Sequence, residues 1–420
     1  VIFKKIPGSL IAVIVGILMV KFLPLKVSTI GNLYTISNSL PAFHLPAVNL
    51  HIIENALPNA FTIAVLAAIE SLLSCVVADG MINGKHRSDM ELVAQGTGFP
   101  AIHSDKTGYA MLKNLGYETE DARDWNNCGC VVPHFRKTFE WTSTANVNFS
   151  AALEYATNGG KSRLTGKQMG LPMSRDFKTY EDVEAAFYKQ FDNLIAVAVE
   201  SSVLAQKIQK EYILRPYFAA LSEECLASGR DIVDGGAKYN IGPVLTGIGL
   251  AETANSLAAI KKLVFDDKIC TLEEIFDACD KDWKGYELLR SQAQQCPQYG
   301  NDDDYVDDIA QRIENHYYEE TVQYKDLYGH SFTSAFMGIS NFIPTGRVLG
   351  AAACGRKATE PISEGISPVG GTDTSTPLAA MKTCAKMNQD IHSGGTLLNM
   401  RLGHNLVETK RGRSNLASMV

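Results

Sequence analysis

The 420-residue sequence carries no basic excess: 39 Lys and Arg stand against 46 Asp and Glu, a formal net charge of −7. It therefore offers no cationic footprint for nucleic acid. Dense, regularly spaced cysteine pairs are also missing. The nine cysteines (75, 128, 130, 225, 270, 279, 296, 354 and 384) are scattered and odd in number. That pattern argues against a secreted disulfide scaffold and for a reducing compartment. There is no secretory signal either, because the apolar run behind Lys4 and Lys5 has no small-residue cleavage site. The first residue is Val1 rather than Met, so the start is expected to be a fragment edge.

Average composition is ordinary for a folded protein with a sizeable core, 45% hydrophobic and 20% charged. The averages hide a break near Gly96. Residues 1–96 hold six Lys or Arg and five Asp or Glu, which leaves 33 basic and 41 acidic residues beyond. Ile6 to Val20 is almost wholly apolar and continues to Leu23, interrupted by Lys21. A second apolar run extends from Ala56 to Met81 with Glu70 near its middle. Each is long enough for a membrane span, which needs about 18 residues. A pair of buried core helices is the blander alternative. A carboxylate at mid-span is costly in lipid, so Glu70 there would serve coupling or an ion pathway.

Within this stretch, Lys5-Ile-Pro-Gly-Ser-Leu10, Asn59-Ala-Phe-Thr-Ile-Ala64, Ala68-Ile-Glu-Ser-Leu-Leu73, Val77-Ala-Asp-Gly80 and Asp89-Met-Glu-Leu92 resemble the SulP anion transporters. The resemblance implies a membrane-inserted fragment in which Glu70 and Ser74, one turn apart, belong to a transport-coupling helix. Two helices cannot form an inverted-repeat transport site, so no transport is expected.

Beyond Gly96 the texture is that of an acidic soluble domain. Asp124-Trp-Asn-Asn-Cys-Gly-Cys-Val-Val-Pro133 carries Cys128 and Cys130. By themselves these are weak evidence, since most free cysteines are packing residues. With His134 they could also begin a metal site, although only two or three ligands are in view. Further on come Asp231-Ile-Val-Asp-Gly-Gly-Ala-Lys-Tyr-Asn240, Ser256-Leu-Ala-Ala-Ile-Lys-Lys-Leu-Val-Phe265 and Gly300-Asn-Asp-Asp-Asp-Tyr305. Pro344-Thr-Gly-Arg347, Gly355-Arg-Lys-Ala358, Ser363-Glu-Gly-Ile-Ser-Pro-Val-Gly-Gly371 and His392-Ser-Gly-Gly-Thr-Leu-Leu-Asn399 complete the series. In this order they resemble the glycyl-radical enzymes, the family of pyruvate formate-lyase and the glycerol and choline lyases.

That resemblance implies an α/β fold: a partial ten-stranded glycyl-radical-enzyme barrel over 97–420, preceded by two transmembrane-like α-helices in 1–96. It implies a backbone glycine radical, installed by a radical S-adenosylmethionine activase, that takes hydrogen from a cysteine at a loop tip. The cysteine thiyl then attacks a small-molecule substrate. Cys130 matches the thiyl position and Cys128 is the weaker candidate. Glu364 falls by resemblance on a loop near the active site; read by itself it is equally a turn carboxylate on the surface. The implied parent enzyme is cytoplasmic, anaerobic and homodimeric, with no other bound cofactor and no metal. It is a lyase or a formate acetyltransferase-like enzyme.

Two departures matter. Family members that cleave carbon–heteroatom bonds usually carry Cys-x-Glu, whereas this sequence has Val132, which cannot take a proton. Glu140 or His134 would have to substitute, and the reading leans toward carbon–carbon chemistry. The family's Arg-Val-x-Gly-Tyr stretch is absent, and Arg401-Leu-Gly-His404 lacks the Tyr. The radical-glycine domain is accordingly expected to be missing and the 420-residue chain inactive, a chimeric or mis-assembled fragment. The rival reading is a SulP-family anion transporter with a passenger soluble tail.

Other signals are structural. Asp302 to Asp304 suits a solvated helix start better than a calcium loop, which needs a closing Glu. Gly247-Ile-Gly-Leu-Ala-Glu252 fails as a dinucleotide loop because its third Gly is Glu252. His103 and Asp105 read more readily as structural than as catalytic. Helices are expected at about 141–158, 180–211, 272–280 and 303–326, two of them opened by capping boxes at Thr179/Asp182 and Thr271/Glu274. Phe187, Phe191, Leu194, Ile195 and Ala198 form a core-facing stripe. The six cysteines beyond Cys130 read as packing or surface thiols.

Overall fold

The computed structural model describes residues 103–419 except 129–131, 136–137, 141–143, 339 and 401–408. The two membrane-like runs, with Glu70 and Ser74, lie outside the described residues. So does Cys130. Among the described residues no helix is long and apolar enough to cross a membrane.

A parallel three-stranded sheet, Ala145–Asn148 (β4), Val244–Ile248 (β6) and Thr333–Ala335 (β7) in the spatial order β4-β6-β7, organises the fold. It is reached through α1 (Asp105–Asn114), an antiparallel pair β1 (Trp125–Cys128) and β2 (Val132–Phe135), and β3 (Thr138–Glu140). Strand β4 (Ala145–Asn148) then leads into α2 (Phe149–Thr157) and the 33-residue α3 (Tyr180–Tyr212). The chain returns through β5 (Tyr239–Ile241), which pairs in parallel with β3, and β6 (Val244–Ile248), which pairs in parallel with β4. Helices α4 (Leu250–Ile260), α5 (Leu272–Asp280) and α6 (Asp304–Val322) carry it to β7 (Thr333–Ala335), parallel to β6. Parallel neighbours need such long helical crossovers, which cover the sheet. All five residues of the central β6 are accordingly buried.

The helix starts follow the sequence chemistry. Thr179 and Asp182 form a reciprocal capping box on α3, and Thr271 and Glu274 form one on α5. Asp303 caps α6 through Tyr305 N, so the acidic run does open a helix. The first expected helix is shorter than the sequence suggested, because residues 145–148 are strand β4 and Asn148 caps the helix that follows. Asn148 accepts from Ala151 N, and Thr144 donates from its N–H and hydroxyl to Val244 O, so this stretch joins the sheet rather than extending the helix.

The core forms where α2, α3, α4 and α6 close on the sheet. Phe187, Phe191 and Ile195 are fully buried, with Ala198 nearly so and Leu194 packed beside them. Phe149 meets Phe191, Tyr317 and Phe336 edge-on at 4.5, 5.0 and 5.8 Å. Burying a ring of this kind contributes roughly 1.5–3 kcal/mol. Tyr317 also donates its hydroxyl to Leu245 O at 2.7 Å, tying α6 to β6.

Candidate active site

The Cys-Gly-Cys stretch is held by a hairpin. Trp125 faces Phe135, Asn126 faces His134, Asn127 faces Pro133 and Cys128 faces Val132. Cys128 is thus the last paired residue of β1, and residues 129–131 connect it to β2. The hairpin base is anchored by Trp125, which packs with a small cluster of Leu112, Tyr117, Ala122 and Ile241. A Cβ at Gly108 would stand 2.6 Å from the Trp125 ring, so only glycine lets α1 approach the indole this closely. Tyr117 stacks on Tyr239 of β5 at 3.9 Å and shares a hydrogen bond with Thr138 of β3. The side chains of Cys128, Val132, His134 and Glu140 lie outside the described residues.

Glu364 lies at the carboxyl end of β7. Gly365, with φ +55°, is wedged where an added Cβ would meet Leu397 O at 2.4 Å and Phe336 O at 2.9 Å. Leu397 N donates to Phe336 O, and Ile366 N donates to Leu397 O, both at 3.0 Å. The Glu364 and Leu397 segments are therefore laid side by side just past the strand. Asn399 Nδ2 donates to Glu364 Oε2 at 2.6 Å. Partial burial pushes the Glu364 carboxyl above its ordinary value, opposed by the Asn399 bond.

Two buried polar clusters hold this end of the sheet. In the first, Arg356 Nε bonds Glu252 Oε1 at 2.9 Å, and the Cys354 thiol donates to the same oxygen at 3.2 Å. The remaining guanidinium nitrogens donate to Gly350 O, Lys357 O and Glu360 O. Glu252 N donates to Ser363 Oγ at 3.3 Å, next to Glu364. Burial raises the Glu252 carboxyl despite Arg356, and its Oε2 has no hydrogen-bond partner. Burial, with Glu252 beside it, also pushes the Cys354 thiol far up, so Cys354 stays a thiol donor.

In the second cluster, His392 bonds Ser334 Oγ through Nδ1 at 2.8 Å and Glu314 Oε1 through Nε2 at 2.9 Å. Asn388 N completes it by donating to Glu314 Oε2 at 3.1 Å. The order Ser–His–Glu imitates a hydrolase triad, but all three side chains are fully enclosed and no substrate can reach them. Their role is to fasten the His392–Asn399 strap onto β7 and α6.

The sequence reading missed both clusters. Arg356 and His392 each sit in a motif it singled out, yet their partners Glu252 and Glu314 are 104 and 78 residues away. Glu252 was visible only as the residue that spoils a dinucleotide loop. The cysteines beyond Cys130 read correctly as packing: Cys225, Cys279, Cys296, Cys354 and Cys384 are buried and Cys270 is partly so. Burial pushes the thiols of Cys270, Cys279 and Cys296 up to about 11. Among the described residues no three His, Cys, Asp or Glu side chains are grouped to hold a metal. Nothing described joins Glu364 to the hairpin.

The chain matches the family model "Pyruvate formate lyase-like" over residues 62–346 and the model "Glycine radical" over 362–420. It belongs to the pyruvate formate lyase-like family. The "Sulfate permease family" model matches residues 1–99, in agreement with the resemblance of the amino-terminal motifs. The glycine-radical match begins inside the segment that the motif reading placed ahead of that domain.

Among curated relatives, trans-4-hydroxy-L-proline dehydratase of Clostridioides difficile is 34% identical over 79% of this chain and 42% of its own length. (2S)-3-Sulfopropanediol dehydratase of Klebsiella oxytoca is 32% identical over 79% of this chain and 41% of its own. The glycerol-bound B12-independent glycerol dehydratase of Clostridium butyricum superposes with a TM-score of 0.76 at 29% identity, covering 79% of this chain and 42% of that one. The fold is thus that of the glycyl-radical enzyme α/β barrels, and the chain spans about two fifths of the length of these relatives.

Proposed function

We propose that residues 97–420 are the thiyl-bearing portion of a glycyl-radical lyase acting on a small substrate. The observation that supports this is the antiparallel pairing of β1 with β2, whose last pair, Cys128 with Val132, flanks Cys130 in sequence. Cys130 is the hydrogen-abstracting residue. Abstraction moves a proton and an electron together, so a neutral thiol suffices and no depressed pKa is needed.

Glu364 is the carboxyl proposed for proton transfer, since Val132 cannot serve. Its raised pKa brings it closer to the range useful for general acid–base work. Relatives include dehydratases, isethionate sulfite-lyases and a 4-hydroxyphenylacetate decarboxylase. Both carbon–heteroatom and carbon–carbon cleavage therefore lie within the family's range. With Val132 in place, we favour the latter.

The radical itself would be installed by an activating enzyme on a glycine in an Arg-Val-x-Gly-Tyr setting, which this sequence does not contain. The test joins residues 103–420 to the unmatched flanks of trans-4-hydroxy-L-proline dehydratase. The chimera and the 420-residue chain are each incubated anaerobically with activase and S-adenosylmethionine, then screened against hydroxylated and carboxylated substrates. A glycyl-radical signal and turnover in the chimera alone are expected. Radical loading without turnover of any substrate by the chimera would sink the proposal.

A further inference from the structure

A small cavity lies between α2, α4, α5 and the segment 350–356. Two kinds of residue build its wall. Ala351, Ala352 and Ala353 form one side, and their methyl groups are too short to fill the space. Polar groups form the other: Glu154, Arg163 and Arg356, with the hydroxyls of Thr253 and Ser256. Glu154, Thr253 and Ser256 are only 5, 0 and 1% exposed. The backbone holds this arrangement in place. Gly350 N donates to Glu154 Oε2 at 2.7 Å, and Gly350 O accepts from Arg356 Nη2. A Cβ at Gly350 would stand 2.5 Å from the Cβ of Arg163, so only glycine lets the segment sit this close.

The polar groups around the space have bonding capacity left over. Glu154 accepts from Arg163 N and from Gly350 N, one bond to each oxygen, whereas a carboxylate offers about four acceptor sites. Arg163 donates through Nε to Asp280 and through Nη2 to Thr157, and its Nη1 makes no hydrogen bond among the described residues. Burial raises the Glu154 carboxyl, opposed first by the Arg163 charge, so a further donor would stabilise its ionised form. An occupant must therefore both donate and accept. An anion would meet Glu154, a cation would meet Arg163 and Arg356, and an apolar molecule would leave the polar wall unserved. Size points the same way. The space measures about 20 Å3 for the centre of a water molecule, above the roughly 10–15 Å3 that one water requires.

We infer that this cavity is an internal binding site for ordered water, which donates to the Glu154 carboxyl, accepts from the Arg163 guanidinium and so ties the segment 350–356 to α2. Arg356 lines the same space while bonding Glu252, so the site adjoins the buried cluster that precedes Glu364. Water in such a place is part of the structure and costly to remove. The inference is independent of the roles assigned to Cys130 and Glu364.

The test is a crystal structure of the 420-residue chain at a resolution that shows ordered solvent, with further crystals pressurised under xenon or soaked in bromide. Solvent density within hydrogen-bond reach of both Glu154 and Arg163 is expected, with neither xenon nor bromide in its place. In solution, oxygen-17 relaxation dispersion of the water should count fewer long-lived internal waters in Ala353→Val, whose added methyl groups fill the space, than in the parent. Xenon or bromide in the cavity, an absence of density touching Glu154 and Arg163, or an equal water count from the folded variant would each overturn the inference.

Discussion

Replacing Arg356 with Met tests whether the buried Glu252–Arg356 pair holds the strap that carries Glu364. The substitution keeps an unbranched stem of similar length and deletes the cation. Glu252, fully buried, would lose the one positive partner it has, while Gly350 O, Lys357 O and Glu360 O would lose their donors. Stranding one member of a buried pair costs about 3–5 kcal/mol. At about 2 °C per kcal/mol for a unit of this size, the melting midpoint should fall by roughly 6–10 °C.

The deficit should also depend on pH. Burial already raises the folded-state pKa of Glu252, and removing Arg356 raises it further. A raised carboxyl favours the fold fully below its unfolded pKa and loses that contribution as pH rises through the folded value. The Arg356→Met deficit should therefore be small near pH 4.5 and grow toward neutrality. Glu252→Leu/Arg356→Met removes both charges and should be less damaging than Arg356→Met alone, because the coupling within the pair is lost together. Thermal and urea melts of the four proteins at several pH values supply the cycle. Additive single effects, or a deficit flat with pH, would refute the reasoning.

Three further outcomes are expected. His392→Ala removes the partner of Ser334 Oγ and of Glu314 Oε1 in the core, while Asn388 N still serves Oε2, at about 1–3 kcal/mol for each buried group stranded; hydrogen exchange should then quicken across 392–399 more than across α3. Glu364→Gln removes a carboxyl whose pKa is raised, so the variant should lose less stability than the parent as pH rises above the ordinary carboxylate range; a steeper loss would contradict the assignment. Thr179→Ala opens the capping box of α3 and should cost about 1 kcal/mol, read by urea denaturation.

Local chemistry made much of the fold legible. The capping boxes at Thr179 and Thr271 and the stripe from Phe187 to Ala198 depend on residues three or four apart, which a sequence displays directly. The order of the motifs carried the family and hence the barrel fold. What stayed hidden was contact at a distance. No spacing reveals that Glu252 meets Arg356, or that Ser334, His392 and Glu314 close on one another across a sheet and a helix. The β4 strand reads in sequence as the start of a helix because four residues are too few for a period-two pattern to compete. Glu364 was legible only through the resemblance, and the structure adds the Gly365 wedge and the Asn399 bond that fix it.

The central claim, that Cys130 carries the thiyl chemistry, is tested most directly by the chimeric enzyme bearing Cys130→Ser or Cys128→Ser, loaded anaerobically and assayed for radical content and turnover. Both variants should hold the glycyl radical, Cys130→Ser should convert no substrate, and Cys128→Ser should retain turnover. Turnover by Cys130→Ser together with its loss in Cys128→Ser would contradict it.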